Sequence, residues 1–505
     1  MFEENRRTKL LTLALSCLAL FIVLLDMTIV NNALPSIQRQ LNTSLSGLQW
    51  IIDAYTLVFA SLLLTTGSLS DRQGRKRWFL VGVVVFTAGS ALCGLAPNIG
   101  VLVAARALQA VGGAALSPAS LSLLTNAFPD PRERAQAIGI WAGVSGLSLS
   151  AGPLIGGALV DGPGWRWVFF VNLPVGVVAF IGALRFVRES VNPRPRRLDL
   201  AGQLLGVGTL AALVYALIEG GSHGWTSAPI LTMFTLAALG LAAFLLVEAR
   251  KEEPMIELRF FRSAAFSGTN LIAFLTFFSL IGFTFFNTLY FQEIRGYSAF
   301  EAGLLGLPAT LAIVVMAPLA GRLAGARGPG LPIAVGTAMA GSALLLLLGL
   351  RLDTAYSSIW WIFALFGGGL GLVFAPTAAS AVAGLPPSQA GLASGMLNTS
   401  RQVGGAVGIA LLGAVFSSRF RGALPPEIRA RAGGVNGGFQ TIAPTVRRVV
   451  GEAFVSGLHA GYLLAGSALL VSTLLAVTLL AAFRTRPATP TTEPQAALAS
   501  SDGSG

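Results

Sequence analysis

Apolar residues run through this chain in long blocks, and polar residues are confined to short stretches between them. Fourteen blocks are long enough to cross a bilayer as helices: about 10–31, 48–69, 78–96, 101–126, 137–160, 168–187, 200–219, 229–248, 266–290, 303–323, 331–350, 358–383, 391–417 and 458–482. A hydrocarbon layer offers no water to an open backbone, so blocks of this kind predict helices that satisfy their own N–H and C=O groups. The expected fold is an all-α polytopic membrane protein. The first block follows Arg6, Arg7 and Lys9 and could mimic a leader, but its length and its polar Asp26, Asn31 and Asn32 read as an uncleaved helix.

The blocks fall into groups of six, two and six. A basic, proline-rich link, Arg188–Leu198, follows the sixth block. The next two form a hairpin closed by Glu219–Trp225, and a second charged link, Ala249–Ala265, precedes the last six. We expect a six-helix bundle over 1–187, a linker and inserted hairpin over 188–265, a second six-helix bundle over 266–483, and a disordered cytoplasmic tail over 484–505. A faint repeat relates the bundles. The loop Gly67–Arg77 has glycine and arginine at offsets similar to those of Gly321–Gly328, without the acid in the second copy. Such repeats suit carriers that rock one bundle against the other about a midplane site.

Composition agrees. Of 505 residues, 54% are hydrophobic and 11% charged, about half the charged share of an ordinary soluble domain. The net charge of +12 does not point to nucleic acid, because the cations sit in short loops. With the N-terminus inside, inner segments hold about 22 Lys and Arg and outer ones about 10, so both termini are expected to be cytoplasmic. Six of the outer ten fall in the long segment Ser418–Gly457. Cys17 and Cys93 lie inside apolar blocks, which argues against a disulfide or metal framework. There is no GxxxxGK[ST] loop for ATP, and two histidines give no hydrolytic triad, so an enzyme is not expected.

The informative residues are the polar ones inside the blocks. A charged Asp near a membrane helix centre costs roughly 2.5–3.5 kcal/mol on insertion scales. Two readings of Asp26 stay open: a residue solvated near the interface, or a carboxylate facing an internal cavity where it binds a proton or a cation. Arg106 shares a helix face with Gln109 and Gly113 and needs a partner or water. Asp53, flanked by Trp50 and Tyr55, suits a lipophilic cation. In the thirteenth block, Ser394, Asn398, Arg401 or Gln402, and Gly405 form a polar, small face toward the bundle interior. Glu219, His223 and Glu293 lie near outer ends and read as solvated, and His459 as a satisfied interfacial residue.

Several of these stretches, in this order, resemble the major facilitator superfamily and its fourteen-helix drug:proton antiporters. Gly67, Asp71, Arg72, Gly74 and Arg75 match motif A. Leu25, Asp26, Thr28, Asn31, Ala33, Leu34 and Pro35 resemble the helix 1 signature, and Arg106, Gln109, Gly112 and Gly113 motif B. Gly143, Gly152, Pro153, Gly156 and Gly157 resemble motif C, and Trp165, Arg166, Trp167, Phe169, Asn172, Pro174 and Gly176 the start of helix 6. Gly391–Gly413 resembles helix 13.

The resemblance implies a multi-pass carrier of the cytoplasmic membrane that exports amphipathic or cationic small molecules by alternating access. It would be driven by a proton gradient and need no bound cofactor, with drug and proton as partners and a monomer as its working unit. Asp26 and Arg106 would couple protons. Asp71 would latch the cytoplasmic gate by capping a helix or pairing with an arginine of the other bundle, contacts that exist only when that gate is closed, and motif C would pack against that bundle as hinge and seal. Asp26, Asn31, Asp53, Tyr55, Gln109, Asn398, Arg401 and Gln402 would line the substrate cavity. A dedicated exporter of one antibiotic or lipid is the alternative. An uptake carrier or a membrane sensor of the same fold is less favoured, given motif C and the lack of a sizeable soluble domain.

Overall fold

The computed structural model describes residues 6–191, 199–251, 254, 256–382, 390–431 and 444–484. The expected tail and most of the basic link lie outside the described residues. Fourteen helices of membrane length follow one another: α1 (Arg6–Leu41), α2 (Leu45–Gln73), α3 (Arg75–Leu95), α4 (Ile99–Ala127), α5 (Pro131–Asp161), α6 (Asn172–Phe186), α7 (Leu200–His223), α8 (Ala228–Arg250), α9 (Ala264–Leu289), α10 (Leu307–Arg327), α11 (Gly330–Leu346), α12 (Trp360–Val382), α13 (Ala390–Ala423) and α14 (Pro444–Arg484). Single turns at Trp167–Phe170 and Tyr290–Ile294 precede α6 and extend α9, and a short helix, Ala299–Leu305, leads into α10. There is no strand among the described residues. By length and composition thirteen of the helices, α6 and α11 counted with the turns that flank them, can cross a membrane, and α5 is apolar over Ala151–Asp161.

Short polar residues set the helix starts, because the first N–H groups of a helix need outside acceptors. Ser44 accepts from the Gly47 amide, Asn98 from Val101, and Ser298 and Glu301 cap one another reciprocally. Several helices outrun their apolar blocks. The first continues through Pro35 to Leu41, and α14 begins at Pro444, ahead of its block. Helical turns therefore take up much of what reads as the loop Ser418–Gly457. Hydropathy detects only the lipid-facing part of a helix, and the polar extensions are held by neighbouring protein instead.

Helices α1 to α6 pack on one another, as do α9 to α14. Small residues bring backbones together where α3 crosses α4. A Cβ on Gly89 would lie 2.6 Å from the Gln109 Cα, and one on Gly112 2.6 Å from the Phe86 Cα, so α3 and α4 meet backbone to backbone. The hairpin of α7 and α8 leans on α2 and α13 at once. Val214, Leu217 and Ile218 of α7 meet Leu57 of α2 and Ala406 and Ala410 of α13.

Candidate functional site

Asp26 is fully buried, so the cavity-facing reading does not hold in this conformation. It sits where α1, α4 and α6 converge. The Arg106 guanidinium donates to one carboxylate oxygen, and the Gln109 and Asn172 amides donate to the other at 2.8 and 3.1 Å. Arg106 also donates to Gln109 Oε1 at 2.7 Å and to the Ile51 carbonyl at 3.3 Å, and lies over the Tyr55 ring at 4.2 Å. Asn172 reaches Ser90 as well, whose hydroxyl donates to the Phe169 carbonyl. A buried ion pair is tolerated when its remaining donors and acceptors are also satisfied, and both carboxylate oxygens here are. The expected Asp26–Arg106 pairing is thus a four-helix cluster that uses α2 through Tyr55 and Ile51.

That arrangement corrects the expected cavity lining. Tyr55 and Gln109 are buried parts of the cluster rather than open lining. Asp53, Trp50 and Tyr55 do not form one cation site: Tyr55 faces Arg106, while Trp50 donates to Glu219 at 3.0 Å and rests near Tyr215. Residues two apart on a helix point about 200° apart, so Asp53 and Tyr55 face opposite ways. Asp53 lies on the stripe of α2 between Gln49, which bonds the Ile409 carbonyl of α13, and Leu57. It is fully buried at this seam, and neither carboxylate oxygen has a partner among the described residues. Asn31 is buried and donates to its own helix at the Met27 carbonyl. Gln402 of α13 approaches the Met27 sulfur of α1, 4.0 Å away, and Arg401 and Asn398 are at least partly open.

In this conformation Asp71 does not reach the other bundle. It pairs at 3.0 Å with Arg75, across the Gly74 break at the start of α3. The residue that caps α3 is Glu189, whose carboxylate accepts from the Lys76 and Arg77 amides at 2.9 and 3.0 Å. Gly74 makes room for it: its φ is +118°, and a Cβ would stand 2.7 Å from the Glu189 carboxyl carbon. Arg72 is exposed, and Gly67 lies against Pro118 of α4.

Motif C divides its contacts. Gly156 abuts Ile29 of α1 in the same bundle, as Gly152 abuts Thr28. Gly157 meets the other bundle, where a Cβ would lie 2.5 Å from the Phe300 Cα, and a Cβ on Gly143 would meet nothing within 4 Å among the described residues. The Pro153 carbonyl accepts from Asn32 at 2.6 Å. Around it, polar groups bond from bundle to bundle. Asn32 reaches the Ala299 carbonyl, Gln292 donates to the Asn32 carbonyl at 3.1 Å, and Asp161 accepts from the Ala299 and Phe300 amides at 3.1 and 2.8 Å. Glu293, expected to be solvated, has a fully buried side chain and meets Arg39 of α1 at 2.9 Å. Asp161, Glu189 and Glu293 were not legible as contact residues, since an acid at a block end looks solvated until the partner helix is placed.

The chain matches the family model described as Major Facilitator Superfamily over residues 16–409. It is 40% identical over 422 residues to the multidrug resistance protein Stp of Mycobacterium tuberculosis, covering 84% of this chain and 78% of that protein. It is 36% identical over 488 residues to the tetracenomycin C resistance and export protein of Streptomyces glaucescens, covering 91% and 90%. With the methylenomycin A resistance protein of Streptomyces coelicolor it shares 38% over 398 residues, covering 78% and 83%. Among solved structures, a bacterial homologue of the human lysosomal transporter Spinster, inward-facing and unoccupied, superposes with a TM-score of 0.67 at 18% identity, covering 96% of this chain and 100% of that one. The architecture, the helices of membrane length and these relatives lead to one conclusion: the chain is a multi-pass membrane protein that belongs to the Major Facilitator Superfamily.

Proposed function

We propose that this chain is a proton-driven exporter of amphipathic drug-like molecules in the cell membrane, with both termini and the Gly67–Arg77 loop on the cytoplasmic side. The observation that carries the coupling is Asp26, a carboxylate with no solvent exposure held by Arg106, Gln109 and Asn172. A proton arriving there neutralises one partner of a buried pair and releases Arg106, which biases the bundles toward their other arrangement. Asp53 is the second proton carrier: a partnerless carboxyl at the α2–α13 seam is tolerated dry when uncharged, and it meets water when the bundles part there. The bundles bond to each other at the Asn32–Asp161–Glu293 end, so this arrangement is read as open to the cytoplasm.

The test is efflux of a panel of fluorescent amphiphiles from cells expressing the chain, with and without a protonophore, for wild type, Asp26→Asn and Asp53→Asn. Protonophore-sensitive efflux that Asp26→Asn abolishes, with the protein still in the membrane, supports the reading. Undiminished efflux by both variants overturns the coupling assignment. The relatives' names include single antibiotics, tetracenomycin C and methylenomycin A, which favours a dedicated exporter as the second reading. Competition confined to one compound class would select it.

A further inference from the structure

We propose that Arg401 is a recognition site for the acidic group of an aromatic substrate, so that the preferred cargo is an amphiphile bearing a carboxylate or a similarly acidic oxygen. The inference rests on the exporter reading above and assigns its substrate class. Arg401 stands on α13 beside α9 and α12, one residue before the Gln402 that approaches Met27 of the first bundle. Its guanidinium donates to the Phe374 carbonyl at 3.3 Å, the Thr377 hydroxyl at 3.4 Å and the Asn398 side-chain oxygen at 3.5 Å. These are long, uncharged contacts, and a guanidinium has five N–H donors arranged as a fork that fits a carboxylate. No carboxylate pairs with it among the described residues.

The contrast with Arg106 is informative, since both lie inside membrane helices. Arg106 has its counter-charge and is 1% exposed, whereas Arg401 has none and is partly open. A cation drawn partly out of water without a counter-ion is poorly compensated, and an anionic ligand supplies the missing charge on binding. No Asp or Glu lies within α9 to α13 to offer a substrate cation the same advantage; Glu452 of α14 is exposed and pairs with Arg448, and Glu293 is engaged with Arg39 beyond the end of α9. The centroid of the Phe277 ring lies 5.6 Å from the guanidinium carbon and 5.7 Å from the centroid of the Phe374 ring, tilted 45° to it, so two aromatic rings stand beside the charge.

The test uses the full chain in detergent and in proteoliposomes with three probes: a fluorescent aromatic carboxylate, its methyl ester and an aromatic quaternary ammonium. Wild type is expected to bind the acid at least tenfold more tightly than the ester, about what one charge-assisted contact supplies. Arg401→Gln should erase that preference while leaving ester affinity within about twofold, and Arg401→Lys, which keeps the charge and loses the fork, should retain only part of it. An arginine that only braces α12 against α13 would on loss weaken acid and ester alike, which overturns the proposal. So does a wild type that binds ester or ammonium as tightly as acid, a result that needs no variant. Acid-selective binding without proton-driven transport would fault the exporter reading alone. Proton-driven transport without acid preference would fault this inference alone.

Discussion

The two ends of the molecule use the same kinds of residue to opposite effect. At the end carrying Asn32, Asp161 and Glu293, acids, amides and backbone groups bond from one bundle to the other. At the Gly67–Arg77 end they bond within the first bundle: Asp71 to Arg75, Glu189 to the start of α3, Lys76 to the Leu184 carbonyl, and Lys9 to Glu133. Helix α5 shows the same asymmetry along its length, with Gly157 against Phe300 near one end and Gly143 facing open space toward the other. Polar contacts across a moving interface cost energy whenever it opens, whereas contacts inside a rigid body cost nothing during the cycle. The cross-bundle end sets the conformational balance, and the other end sets the integrity of one bundle.

The largest expected effect comes from making the cross-bundle contact impossible. Gly157→Leu places a side chain where the Phe300 backbone stands, so transport should fall about tenfold or more. Spin labels at Gly100→Cys and Ser357→Cys, on exposed loop-side positions of the two bundles, should move apart; an unchanged distance would break the comparison. Next, Arg39→Gln removes the ion-pair partner of the buried Glu293 carboxylate across the bundles, at a cost of about 1–3 kcal/mol, and should shift the same labels toward the open state by about tenfold in population. Glu293→Gln in that background should restore much of the closed population, because the buried charge that lost its counter-charge is then removed as well.

Glu189→Ala should behave differently. It removes the α3 cap and should lower stability by about 1 kcal/mol, read as a lower Tm, with label distances unchanged. The smallest effect concerns the hairpin base. There burial pushes the Asp199 carboxyl up, but Lys251 and the Gly202 amide outweigh it and hold the group below its ordinary value. A carboxyl lowered in the folded state stabilises above its unfolded value and loses that contribution as pH falls through the folded one. The Tm of wild type should therefore drop more than that of Asp199→Asn as pH falls below about 4. Equal slopes would remove Asp199 from the account.

The sequence alone was enough for the number and order of the helices, because the cost of leaving backbone groups unsatisfied in hydrocarbon acts locally on every block. It also singled out Asp26 and Arg106, since charge inside an apolar run is conspicuous wherever its partner lies. Only the tertiary structure decided which partners those charges have. Gln109, Asn172 and Tyr55 reach the pair from three helices, and Asp53 ends beneath a seam instead of beside Tyr55. It likewise decided that Glu293 crosses between bundles while Asp71 stays at home. Desolvation is written along the chain one residue at a time, but pairing depends on which helices meet, and helices far apart in sequence meet through packing that no single block records.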